Sequence, residues 1–307
     1  MARVVILGIF VADTAYLAQR MPKMGETILG QGFALGPGGK GSNQAVAAAM
    51  AGAETHFISR LGVDPFGDIA LAIWAKAGVR AGAVTRSAES ATGAAFIFLE
   101  AATGNNAIIV SPGAAGLISV ADVDAQAALI ASADVFVTQL EQPMAAAVRA
   151  LQIARSAGVR TILNPAPAAD LPDGMLALCD YVTPNESEAE ALTGLPVTSV
   201  PEAIAAARAL RAMGAGAALI TLGDKGALFH DGVQTVHVPV MTAGPVAETT
   251  GAGDAFNGGF AAALGEGMDP IAAARFGCAT AGISVTRPGT ASSMPARAEI
   301  EALLTRG

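Results

Sequence analysis

Short apolar runs recur along the chain, and the residue that closes each of them is usually polar. Residues 4–10, 56–62, 135–137, 161–163, 180–182 and 218–220 read as strands, because short apolar or β-branched runs bounded by turn residues fit buried strands. Between them, Ala- and Leu-rich stretches predict helices. These cover residues 45–51, 64–77 with Asp64-Pro65 as the start signal, a stretch ending near residue 131, 144–157, a short segment with Glu188 and Glu190, and 201–213. Strands alternating with helices of this length imply βαβ units, right-handed crossovers and a parallel sheet. Three stretches break the alternation. Residues 14–35 lack a helical period, with 27–29 and 31–35 as short strands. Residues 92–100 and 106–110 read as a hairpin joined by Thr103-Gly104-Asn105, and 229–240 as one around Asp231-Gly232. The first two stretches are expected to form a small separate sheet.

Polar residues therefore recur just beyond apolar strands: Asp13, Glu141, Asn164, Asn185, Glu188, Thr221 and Gly223. Each alone reads as a cap or turn residue. Gathered at one sheet edge, they mark where open α/β sheets bind ligands. Two glycine turns open helices. The first, Gly36-Pro37-Gly38-Gly39-Lys40-Gly41-Ser42-Asn43-Gln44, has four glycines but lacks the spacing of a Walker A loop. The second, Thr249-Thr250-Gly251-Ala252-Gly253-Asp254, runs into Ala255-Phe256-Asn257-Gly258-Gly259. A turn feeding a helix aims free N–H groups and the positive dipole end at whatever lies above it. Asp254 reads either as a helix-start acid favoured by that dipole or as a base beside an anion hole. The segment alone leaves both open.

Composition narrows the class. The chain has 307 residues, 52% of them apolar and only 14% charged, which excludes a disordered chain and fits one large α/β domain or two small ones. A net charge of −8 argues against a nucleic-acid surface, though not against a locally bound anion. No apolar run is long enough to span a membrane. Residues 4–10 read as a buried strand rather than a signal peptide. Cys179 and Cys278 lie far apart without metal-like spacing and read as buried thiols in a reducing cytosol. Three histidines give no basis for a histidine metal site.

Taken together, these segments resemble the ribokinase-like (PfkB) sugar kinases over nearly the whole chain. Gly38 to Asn43 is similar to the first signature of that family, and Thr249 to Gly259 to the second. Thr183-Pro184-Asn185-Glu186-Ser187-Glu188 is similar to its Asn-x-x-Glu motif, and Thr221-Leu222-Gly223 to its nucleotide turn. Gln139-Leu140-Glu141 and Asn164-Pro165-Ala166-Pro167 run close to the ribokinase branch. The resemblance implies a single α/β domain over 1–307, with a central mostly parallel sheet flanked by helices. It also implies a small β-sheet lid at about 14–35 and 92–110, and a homodimer formed through that lid. It implies ATP and Mg²⁺, a small-molecule sugar substrate, a cytoplasmic location and no nucleic-acid or membrane partner. Asp254 would be the base, and Gly251, Ala252 and Gly253 the anion hole. Asp13, Gly38, Gly39, Lys40, Asn43 and Glu141 would bind the sugar. Asn185, Thr221, Gly223, Gly226 and Asn257 would hold the nucleotide. Glu188 would organise Mg²⁺ through water. A nucleoside kinase of the same family and a non-catalytic sugar- or nucleotide-binding regulator are the alternatives. A dinucleotide oxidoreductase fails, because no Gly-x-Gly-x-x-Gly follows the first strand.

Three departures stand out. Val11 occupies a position where the ribokinase branch has Asn, which favours a sugar lacking one hydroxyl, such as 2-deoxyribose, or a differently posed ketose. Glu248 replaces an Asp of the monovalent-cation (K⁺) site, leaving Thr250 and carbonyls from Val285 to Ser293 as the other ligands. Cys278 replaces a His beside adenine.

Overall fold

In the central strands consecutive apolar side chains point to opposite faces, and both faces are covered. This is why they read as unbroken apolar runs rather than alternating ones. In the computed structural model, which describes residues 1–306, Val4 and Ile6 of β1 (Arg3–Leu7) enter one apolar cluster, and Val5 and Leu7 enter another on the opposite face. The chain then forms β2 (Val11–Ala18), β3 (Gly32–Gly38), α1 (Lys40–Met50), β4 (Glu54–Gly62), α2 (Pro65–Ala77) and β5 (Arg80–Ser87). Next come β6 (Thr92–Glu100), β7 (Asn106–Gly113), α3 (Val120–Ala125), α4 (Ala127–Ala131), β8 (Val135–Thr138), α5 (Met144–Ser156) and β9 (Arg160–Leu163). β10 (Tyr181–Val182), α6 (Glu186–Thr193), α7 (Val200–Ala212), β11 (Ala217–Thr221), β12 (Ala227–His230) and β13 (Thr235–Val238) follow. The chain closes with α8 (Ala252–Gly265), α9 (Pro270–Ser284) and α10 (Arg297–Leu304).

The main sheet has nine strands in the order β13-β12-β11-β10-β9-β8-β1-β4-β5. It is parallel from β11 to β5, and only the β11–β12 and β12–β13 pairs are antiparallel. α1, α8 and α9 bury Ala45, Phe260 and Ala274 on one face. α5 and α7 bury Leu151 and Leu210 on the other. Among the described residues no helix is long and apolar enough to cross a membrane.

The small sheet has the order β3-β2-β6-β7. Its hairpin β6–β7 lies where expected, but the first half differs from the sequence reading. Residues 27–29 lie outside any strand, and the strand missed there is β2, which pairs with both β3 and β6. Its core is Asp13-Thr14-Ala15, which carries little apolar signal; sheet pairing on both sides makes it a strand. Asp13 therefore belongs to the small sheet, opposite Gly36 and Ala95, instead of ending a strand of the main sheet. β5 was also missed, because Arg80-Ala81-Gly82-Ala83 has no apolar run and forms only an edge.

Candidate active site

Two helices start at the carboxyl edge of the main sheet, and each is opened by a glycine with positive φ. Gly39 caps α1 at φ 88°, and Gly251 caps α8 at φ 81°. Neither provides a capping side chain; in α1 the Lys40 and Ser42 N–H groups are taken by the Glu141 carboxylate and the Ile9 carbonyl, so the turn into α8 is the more open of the two. The N–H of Ala252 closes the preceding turn onto the Thr249 carbonyl at 3.1 Å. Of the three expected anion-hole donors, Gly251 and Gly253 are therefore the ones left to face an anion.

Asp254 sits in the first turn of α8 and is 7% exposed. Its two carboxylate oxygens are held by consecutive residues of α1. Asn43 Nδ2 donates to Oδ2 at 3.0 Å, and Gln44 Nε2 donates to Oδ1 at 3.1 Å. Burial raises its pKa, while the Lys40 charge and those two donors oppose the rise. The helix-start and ligand-facing readings of this acid are thus compatible.

Around it a cavity is lined by Lys40, Asn164, Asn185, Glu188, Thr221, Gly251, Gly253 and Asn257. The Asn185 side chain accepts from the Glu188 N–H, and Glu188 Oε2 accepts from the Asn185 N–H, both at 2.9 Å. This capping box starts α6 and holds the Glu188 carboxylate at the cavity. Burial raises the Glu188 pKa. For Lys40, burial disfavours the charge, but Asp254, Glu141 and Glu188 outweigh it and raise its pKa. Asn257 donates to the Gly253 carbonyl at 2.8 Å and accepts from Thr183 at 2.6 Å, so its amide is committed within the protein.

Glu141 Oε2 accepts the Lys40 backbone N–H at 2.7 Å, and burial pushes its pKa up to about 7. Burial likewise pushes Asp13 up to about 6. Gly38 leaves room for Asp13, since a Cβ there would lie 2.2 Å from Oδ1. Asp13, Gly38, Lys40, Asn43, Glu141 and Asp254 thus form a polar wall running from the small sheet to α8. Val11, 3% exposed, lies on the same face of β2 as Asp13 and packs beside Gly93.

Other expected residues fall elsewhere. Gly223 and Gly226 shape the turn into β12, with φ of 54° and 91°. Cys278 is buried on α9 within the apolar cluster, burial pushes its thiol up to about 12, and it is not among the residues that line this cavity. Glu248 accepts from the Gly289 N–H at 2.8 Å, and the Val285 carbonyl already accepts from Ala247 and Glu248. The Ser293 hydroxyl donates to the Thr290 carbonyl. In this arrangement Glu248 Oε2, the Val285 carbonyl and the Ser293 hydroxyl each make a hydrogen bond within the loop. Among the described residues there is no group of three or more His, Cys, Asp or Glu able to hold a metal. Glu188 alone fits a magnesium ion that takes most of its ligands from phosphates and water.

Sequence reasoning left Gln44 and Gln139 out of the site. Gln44 read as the last residue of the glycine turn, yet it touches Asp254, Asn164 and Gln139. The available signal was a lone long amide leading into the all-small run 45–49 on a buried helix face.

Residues 1–297 match the family described as pfkB family carbohydrate kinase. The ribokinase of Haemophilus influenzae is 40% identical over 96% of this chain and 95% of its own length. The deoxyribokinase of Salmonella typhimurium is 36% identical over 95% of each. Among solved structures, Arabidopsis thaliana ribokinase complexed with ribose and ATP superimposes with a TM-score of 0.92 at 30% identity, covering 99% of this chain and 98% of that one.

Proposed function

The chain belongs to the pfkB family of carbohydrate kinases and is a sugar phosphotransferase; we propose that Asp254 is the base that takes the proton of the sugar hydroxyl. The observation that carries this reading is the buried Asp254 carboxylate, fixed by Asn43 and Gln44 in the first turn of α8, in one cavity with Lys40, Asn185 and Glu188. The sugar oxygen attacks the γ-phosphorus of ATP, the bond to the β–γ bridging oxygen breaks, and ADP leaves. The hydroxyl proton passes to Asp254. Gly251 and Gly253 N–H groups and the α8 dipole stabilise charge on the moving phosphoryl group. Lys40 lines the same cavity as Gly251 and Gly253, and in this reading its charge serves the γ-phosphate as well as the sugar. Magnesium, when bound to the nucleotide, neutralises phosphate charge, and Glu188 would hold it through water. Asn185, Thr221, Gly223 and Gly226 place the nucleotide.

Asp13, Gly39, Asn43 and Glu141 hold the sugar beneath the small sheet, which acts as a lid that excludes water. Val11 presents an apolar surface beside Asp13. A hydroxyl placed against it loses a hydrogen bond, a cost of about 1–3 kcal/mol. This favours 2-deoxyribose over ribose; both ribokinases and a deoxyribokinase stand among the relatives, so the choice rests on Val11. The lid leaves Tyr16, Phe33, Leu35 and Ile109 exposed on the face opposite Asp13, an apolar patch suited to a second copy of the chain.

ADP release measured over ribose, 2-deoxyribose, fructose, tagatose and nucleosides tests the reading. The highest kcat/KM is expected with 2-deoxyribose. A clear preference for ribose would remove the role given to Val11, and a preference for nucleosides would replace the sugar assignment.

A further inference from the structure

Gln44 is fully buried and makes three side-chain hydrogen bonds. Its Nε2 donates to Asp254 Oδ1 at 3.1 Å and to Asn164 Oδ1 at 3.0 Å. Its Oε1 accepts from Gln139 Nε2 at 2.6 Å. Gln139 is also fully buried. Its Oε1 has no hydrogen-bond partner and is wedged against the backbone of Gly8 and Gly41, where an added Cβ would lie 2.5 and 2.9 Å away. Gln142 is likewise committed to Thr138 and the Gln139 carbonyl.

The direction of this chain follows from the carboxylate. An ionised Asp254 only accepts hydrogen bonds, so Gln44 must turn its NH₂ toward it. Turned the other way, the Gln44 oxygen would face Asp254 Oδ1 and Asn164 Oδ1 together. With the NH₂ committed, the Gln44 oxygen faces Gln139, which must then present its own NH₂. The oxygen of Gln139 is left in the glycine slot as the unpaired end. A buried polar atom left unpaired costs free energy that a packing role alone would not require.

We propose that Gln44, oriented by Gln139, is a positioning residue that holds the Asp254 carboxylate ionised and aimed at the sugar hydroxyl. This rests on the assignment of Asp254 as the base. Gln44 acts through Asp254 and touches no reacting atom. The charged groups facing Asp254 are Lys40 of α1, Glu188 of α6 and Glu141 after β8; Asp13 of β2 faces Glu141. None of them changes when Gln44 is replaced by a residue of similar shape. Loss of the Gln44 donor removes one of the two hydrogen bonds that favour the ionised form, so proton uptake by Asp254 moves to higher pH.

Gln44→Met and Gln139→Met test this, with Asp254→Asn as the reference and thermal melts to establish folding. For Gln44→Met, kcat is expected to fall roughly 10- to 100-fold, less than the loss of the base itself, which is worth about 10²–10⁴-fold. KM for ATP and for the sugar should change less than about threefold, and the acid limb of the kcat profile should move to higher pH. Gln139→Met should shift the limb the same way with a smaller fall in kcat, and it carries the test alone if Gln44→Met does not fold. A fall in kcat with an unmoved acid limb overturns the proposal, as does a wild-type profile in both variants while Asp254→Asn is inactive. Activity retained in Asp254→Asn would instead overturn the base assignment on which the proposal rests.

Discussion

At the scale of single residues, the site sets buried carboxylates against very few compensating charges. Glu141 and Asp13 are both driven upward, to about 7 and about 6, mainly by burial. A carboxyl whose folded pKa lies above its unfolded value stabilises the fold at low pH and loses that contribution as pH rises. For Glu141 the window runs from about 4.5 to about 7, so the sugar-free protein should lose stability across it. Glu141→Gln should flatten that fall in a series of denaturant titrations; an unchanged slope would show that folding leaves the Glu141 pKa where it is in the unfolded chain. Val11→Asn should raise kcat/KM for ribose relative to 2-deoxyribose about tenfold, as expected for one regained hydrogen bond of about 1.4 kcal/mol. No change in that ratio would move the specificity determinant elsewhere. Asp254 was legible as a functional candidate because its glycine turn is dense in sequence. Gln44 was not, since nothing local shows that the carboxylate of a helix 210 residues away lies against it.

At the scale of elements, the proposed role of Asp254 depends on how α1 and α8 meet. Their crossing is close because Gly258 has no side chain: a Cβ there would lie 2.4 Å from the Ala47 Cβ and 2.7 Å from the Gln44 carbonyl. Gly258→Ala should therefore overpack the crossing at a cost of about 1–3 kcal/mol. It should also lower kcat, because Asp254 and Gln44 ride on the two helices that are forced apart. A stable variant with normal kcat would show that the crossing has slack. Gly251→Ala should cost about 1–2 kcal/mol through its left-handed backbone and disturb the donor fan, lowering kcat more than it raises KM. Apart from the edge strand β5, the alternating strands and helices of the main sheet were readable from periodicity, down to the antiparallel hairpin at its end. The small sheet was readable only in part. Its hairpin β6–β7 is apolar and local, whereas β2 is specified by partners distant in sequence and carries Asp13 in place of an apolar run.

At the scale of the whole molecule, one sheet edge collects the polar ends of strands, and a second sheet stands over it. The exposed apolar residues of that second sheet are the part of the surface least explained by a lone chain. Sedimentation should find a dimer, and Phe33→Asp, at a position 61% exposed, should yield monomers without loss of fold. Monomers of the unmodified chain at micromolar concentration would assign the patch to the lid alone. The joint presence of Asp254, the Gly251–Gly253 turn, Asn185 and Glu188 in one cavity argues for turnover rather than passive binding. Asp254→Asn tests that most directly, through phosphoryl transfer to the preferred sugar and ATP affinity measured on the same sample. Unchanged ATP binding with transfer reduced about 10³-fold or more is expected. Retention of more than a few per cent of wild-type turnover, with ATP bound normally, would contradict the role of Asp254 as the base.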